Sequence, residues 1–201
     1  MVAVDLFDYN LRTLDESKLG RLEEKTSGIT EDRTRPLRII ADIGSVALPR
    51  PADFITMIEV TQYVEDPLRT IANSYNQLVD GGLMLVADAD GWSGGLRYAG
   101  GSERFATEDL VEALSRANVH HAAQHTDDWP ERTAFPADSR RRLEIDFCDM
   151  NILGVQKKPG TELVINTELV EVVTEGHDYK RAYYQPLAAG SPPPVEVVST
   201  V

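Results

Sequence analysis

The feature that most constrains this chain is a rhythm of short apolar runs, each closing on a carboxylate. Val2-Ala-Val-Asp-Leu6 carries Asp5, Leu37 to Ile43 carries Asp42, and Asp53-Phe-Ile-Thr-Met-Ile-Glu-Val60 carries Glu59. Apolar runs this short, bounded by polar residues and prolines, read as buried strands rather than helices. The third is so continuously apolar that both of its faces are expected to be covered. Between the first two, Leu11, Leu14, Leu19 and Leu22 return to one helical face while Asp15, Glu16, Lys18, Arg21, Glu23 and Glu24 take the other, which predicts an amphipathic helix. Asp66-Pro67 opens a second helix, because aspartate can cap the first-turn N–H groups and proline at the first position loses no bond. Leu68, Ile71, Ala72, Tyr75 and Leu78 mark its buried face, Asp80-Gly-Gly82 is read as its end, and Leu83 to Ala87 as one more buried strand. Apolar strands alternating with amphipathic helices indicate an α/β layer fold with a mostly parallel sheet.

Further along, a Gly-rich stretch from Gly91 to Gly101 carries Trp92 and Tyr98, and Thr107 is expected to cap a helix through Ala117. His120 to Arg142 lacks periodicity and reads as a loop. Leu143 to Phe147 and Asn151 to Gln156 look like late antiparallel strands, and Val164 to Val173 like an edge strand. Pro192-Pro-Pro194 is expected in a tail that is not well packed. Residues 1–175 are therefore read as one α/β domain and 176–201 as a partly disordered C-terminal extension.

With 20 Lys+Arg against 33 Asp+Glu the 201-residue chain has a net charge of −13, which repels phosphate backbones and anionic lipid. Small molecules and proteins are the expected partners, not nucleic acid or membrane. The single cysteine, Cys148, has no internal disulfide partner, and the opening residues lack the pattern of a secretory signal, so the chain reads as cytoplasmic. His121 and His125 are spaced i, i+4, yet no third ligand is signalled and no metal site is expected. Arg140-Arg-Arg142, beside Asp138 and Glu144, reads as a solvated face.

In parallel α/β sheets the ligand crevice lies outside the carboxyl ends of the strands, where Asp5, Asp42 and Glu59 are expected. A carboxylate there can accept two ribose hydroxyls, and a second can accept an adenine amino group. The order of Asp53 to Pro67, the helix Leu68 to Leu78, and Val79-Asp-Gly-Gly-Leu-Met-Leu-Val86 resembles the fourth strand, following helix and fifth strand of class I S-adenosylmethionine-dependent methyltransferases. Tyr63 stands where that family commonly has histidine. Val2 to Leu6 looks like the family's second strand and Ala41 to Pro49 like its adenine-binding segment. The resemblance implies a Rossmann-like methyltransferase sheet, mostly parallel with late antiparallel strands, that uses S-adenosylmethionine to methylate a small-molecule acceptor. It implies that Asp5 holds the ribose, with Leu6 also at the cofactor, that Asp42 and Ile43 meet the adenine, and that Glu59 and Val60 form the cofactor floor. Gln62, Tyr63, Trp92 and Tyr98 fall on the acceptor side.

Set against that family, the first strand, Gly-rich turn and first helix are expected to be missing, since only four residues stand ahead of Asp5. An exposed sheet edge would follow, favouring a homodimer or a partner chain. No catalytic residue is assigned, since methyl transfer by direct displacement needs mainly proximity and alignment. The rival reading is a non-catalytic methyltransferase-like interaction subunit that has lost cofactor binding. A nicotinamide-dependent reductase would share the ribose acid but leaves the Glu59 to Pro67 block unexplained.

Overall fold

The computed structural model describes residues 2–5, 37–40, 42–88, 96–100, 104–125, 151–175, 179–187 and 192–200. The chain divides into two units, Met1–Ala47 and Leu48–Val201. In the first, β1 (Val2–Asp5) pairs in parallel with β2 (Leu37–Ile40), with Val2 opposite Leu37 and Asp5 opposite Ile40. The predicted helix over Leu11 to Glu24 lies outside the described residues.

The second unit is built on a four-stranded sheet in the order β3-β4-β7-β6, from Ala52–Ile58, Leu78–Asp88, Asn151–Gln156 and His120–His125. Strands β3 and β4 run parallel, and β7 runs antiparallel to both β4 and β6. Beside it stand a sheet of β5 (Leu96–Tyr98), β10 (Tyr179–Pro186) and β9 (Thr167–Glu175), and a pair of β8 (Thr161–Ile165) with β11 (Val195–Ser199). Among the described residues three strand pairings are parallel and four antiparallel, so the architecture is mixed α/β rather than mostly parallel. The difference arises after β4, where most of the later strands pair antiparallel. The late antiparallel strand expected at Asn151 to Gln156 is β7.

Helix α1 (Pro67–Asn76) forms as its sequence dictates. Asp66 caps it, its Oδ1 accepting from the Arg69 N–H at 3.0 Å, and Pro67 takes the first position. Leu68, Ile71, Ala72 and Tyr75 are buried against β4 and β8. Its far end stops at Asn76 rather than at the glycines. There the Lys157 ammonium donates to the carbonyls of Asn76 and Leu78, both at 2.9 Å, which satisfies acceptors a helix end leaves open. The Asn76 side chain also brackets Leu163 of β8, accepting from its N–H at 2.7 Å and donating to its carbonyl at 3.0 Å. Leu78 and Asp80-Gly-Gly82 therefore belong to β4. Gly81 takes φ +80, and a Cβ on Gly82 would lie 2.9 Å from the Val79 carbonyl oxygen and 3.1 Å from that of Ala52.

Four further expectations are corrected. Strand β3 is covered on one face only: Met57, Met84 and Val86 are buried beneath α1, while Phe54, Ile58 and Leu83 are 57%, 57% and 49% exposed. Helix α2 (Ala106–Arg116) begins after Phe105, which provides no side-chain cap, and Thr107 lies buried in its first turn. The start of the expected loop from His120 to Arg142 is strand β6, held because β7 offers a full ladder of partners. Beyond Pro194, β11 pairs along β8 and buries Val195, so the proline segment leads into packed structure instead of an unpacked tail.

Candidate functional site

Because β3 and β4 are parallel with Ile58 opposite Ala87, their carboxyl ends open on the same edge. Asp88 is the last residue of β4, and Glu59 follows β3 with its N–H on the Ala87 carbonyl at 2.8 Å. Glu59 adopts φ 54, a left-handed conformation that costs a non-glycine residue energy and persists only where the surroundings enforce it. It turns the chain sharply out of the strand. The tight turn that follows, with the Tyr63 N–H on the Val60 carbonyl at 3.0 Å, folds Thr61 and Gln62 back over the end of β4.

Thr61 Oγ1 donates to Asp88 Oδ2 at 2.7 Å, and the backbone N–H groups of Val60 and Thr61 also face this carboxylate. Those donors favour the charged form, yet burial outweighs them. Desolvation, reinforced by the nearby Glu59, raises the Asp88 carboxyl from 3.8 to about 6. Asp88 is 0% exposed and Gln62 3% exposed, and two of their oxygens, Asp88 Oδ1 and Gln62 Oε1, have no hydrogen-bond partner among the described residues. The Gln62 carbonyl accepts from Lys180 of β10 at 3.0 Å, which anchors the turn from its other side. Glu59 and Tyr63, flanking the buried pair, are exposed, so the cluster lies just beneath the surface.

The other predicted residues fall as follows. Asp5 ends β1, and Asp42 lies two residues past the end of β2. With Asp5 opposite Ile40 in a parallel pair, both backbone positions stand at one edge of that pair. The Asp42 carboxylate holds its own turn, accepting from Gly44 N–H and from Ser45 Oγ, each at 3.0 Å. Ile43 lies in that turn, half-buried. Val60 is half-buried beside Glu59. Leu6 and Trp92 lie outside the described residues, as do Cys148 and Arg140 to Arg142. Tyr98 lies on β5 with its hydroxyl on Asp109 Oδ2, and Arg104 pairs with the other oxygen of that buried carboxylate. Burial and the Asp109 charge push the Tyr98 phenol well above its ordinary value, so it stays protonated as a donor. Among the described residues no three His, Cys, Asp or Glu side chains could hold a metal ion.

Asp88 is the residue that the sequence reading missed. The signal was present: Asp88 closes an apolar run as Asp5, Asp42 and Glu59 close theirs, and the strand-end rule extends to it without change.

No protein-family model matches the chain, and no curated protein matches it. Among solved structures it is similar to S-adenosylmethionine-dependent methyltransferases. One from Clostridium acetobutylicum is 14% identical, with 78% of this chain and 74% of that one covered at a TM-score of 0.41. One from Mesorhizobium loti is 16% identical, with 76% and 89% covered at 0.40. The YcgJ protein of Bacillus subtilis is 12% identical, with 79% and 82% covered at 0.42.

Proposed function

We propose that this chain is a transferase of one-carbon groups that moves a methyl group from S-adenosylmethionine to a small-molecule acceptor. The observation that supports the reading is the placement of Asp5 and Asp42 at one edge of the β1–β2 pair. That is the edge at which parallel strands present carboxylates to a nucleoside. Asp5 would take the ribose hydroxyls, with Leu6 beside it against the cofactor, and Asp42 and Ile43 would take the adenine. The Asp42 oxygens already used in the turn each keep a second lone pair for this. Glu59 and Val60 are assigned to the cofactor floor, and Gln62, Tyr63, Trp92 and Tyr98 to the acceptor side. When bound, the cofactor supplies a methyl group on a positively charged sulfur; the protein's part is to hold and align the acceptor.

The rival reading, a non-catalytic interaction subunit, is favoured by one observation. Phe54, Ile58 and Leu83 form an exposed apolar face on β3 and β4, the kind of surface that partner contacts use, whether in a homodimer or with another chain. Among the described residues no helix is long and apolar enough to cross a membrane. Calorimetric titration with S-adenosylmethionine and then its demethylated product separates the two. Micromolar binding of both supports the transferase; a folded chain that releases no heat with either supports the interaction subunit.

A further inference from the structure

The stretch from Glu59 to Asp66 is fixed at both ends and crosses the end of β4 between them. At one end the Glu59 N–H holds the Ala87 carbonyl at 2.8 Å, and at the other Asp66 Oδ1 accepts from the Arg69 N–H and the Tyr184 hydroxyl, each at 3.0 Å. Between these anchors the turn closes on Asp88. Thr61 Oγ1 donates to Asp88 Oδ2 at 2.7 Å, the Val60 and Thr61 N–H groups face the same carboxylate, and the Lys180 N–H of β10 holds the Gln62 carbonyl at 3.0 Å. Closure leaves Thr61 and Asp88 each 0% exposed. It also keeps Glu59 at φ 54, and a non-glycine residue relaxes from that region once its surroundings stop enforcing it. Glu59 is therefore the hinge about which the turn can lift.

Among the described residues the charged group acting on Asp88 is Glu59, of like sign; β7 sets the uncharged Asn151 opposite, and Lys180 meets the turn through its backbone. An ionised Asp88 is thus buried beside a like charge, and opening the turn returns it to water. A protonated Asp88 loses little by staying closed, because its carbonyl oxygen still accepts from Thr61. We propose that the Glu59 to Tyr63 turn is a pH-sensitive strap, shut over a protonated Asp88 and opening about Glu59 when Asp88 ionises. The strap is independent of the transferase reading. Its consequence is regulatory: Gln62 and Tyr63 are held in one place at mildly acidic pH and released toward neutral pH. The shut turn holds the carboxyl at about 6 and the open turn restores the ordinary 3.8, so between these values the shut form carries a proton that the open form has lost. Opening therefore grows as pH rises through this window and levels off above it.

Amide hydrogen exchange, followed by NMR in the full chain at pH 5, 6 and 7, reads the opening once each rate is divided by the intrinsic rate at that pH. The Val60, Thr61 and Tyr63 amides are expected to exchange faster than those of Leu153 and Val155 in β7. Their corrected rates are expected to rise about ninefold from pH 5 to pH 7, the ratio that the two midpoints impose. In Asp88→Asn the corrected rates of the same amides are expected to be flat with pH. Thr61→Val serves if that variant does not fold: it removes a donor that favours the charged form, so the rise is expected to be larger than in the parent. Corrected rates that are flat in the parent, or turn amides that exchange only as fast as those of β7, overturn the strap. So does a rise that persists unchanged in Asp88→Asn, or one that Thr61→Val fails to enlarge.

Discussion

Replacing Asp88 by asparagine tests the electrostatics of the strand-end cluster without changing its shape. The folded-state carboxyl titrates near 6 against 3.8 for the free group, a rise of about 2.2 units. At about 1.36 kcal/mol per unit this amounts to about 3 kcal/mol. The sign follows from the proton count. Between pH 3.8 and 6 the folded chain holds a proton on Asp88 that the unfolded chain has lost, so stability falls as pH rises through this window. Below it the burial of Asp88 carries no ionisation cost, and above it the cost is constant. Asparagine does not titrate and can still accept from Thr61 Oγ1. The stability of Asp88→Asn relative to the parent is therefore expected to rise by about 2.4 kcal/mol from pH 4 to pH 7, the rest of the 3 kcal/mol falling below pH 4. Urea unfolding of both chains at unit pH steps measures it, because effects of other carboxylates cancel in the difference. A difference that is flat with pH, or that moves the other way, would refute the account of Asp88 as a carboxyl whose ionisation is opposed by burial.

Three further outcomes are expected. Tyr184→Phe removes the hydroxyl that accepts from the Leu68 N–H at 3.1 Å and donates to Asp66 Oδ1 at 3.0 Å; loss of this buried link should cost about 1–3 kcal/mol, seen as a lower urea midpoint at unchanged slope. Gly82→Ala places a methyl against three backbone carbonyls, and the lost stability, about 1–3 kcal/mol, should show in thermal unfolding. Leu153→Ala, at a fully buried position of β7, should cost about 2–5 kcal/mol by the same measurement.

Much of the framework near the site was legible because local chemistry decides it. Asp66-Pro67 caps α1, the apolar spacing of Leu68, Ile71, Ala72 and Tyr75 sets its buried face, and Glu59 stands at the end of β3 as its position in the sequence suggests. What the sequence hid depends on distant partners. The end of α1 is set by Lys157, some eighty positions away, and not by the adjacent glycines. Strand β11 forms because β8 offers its edge, which no local pattern around Pro192 reveals. The continuous apolar run of β3 suggested cover on both faces, yet hydropathy alone does not say what lies over Phe54 and Ile58. At the site, the residue types were readable but their use was not: Tyr98 is bonded to Asp109, and the burial of Asp88 emerges only once the Glu59 to Tyr63 turn is folded over it.

The central claim, that the carboxylate closing β1 grips the cofactor ribose, is tested most directly by comparing the affinity of the parent chain and Asp5→Ala for S-adenosylmethionine by calorimetry. Hydrogen bonds to a charged carboxylate contribute about 1.5–3 kcal/mol each, so the account predicts that the variant binds at least tenfold more weakly while folding as the parent does. Equal affinity in the two chains would contradict it.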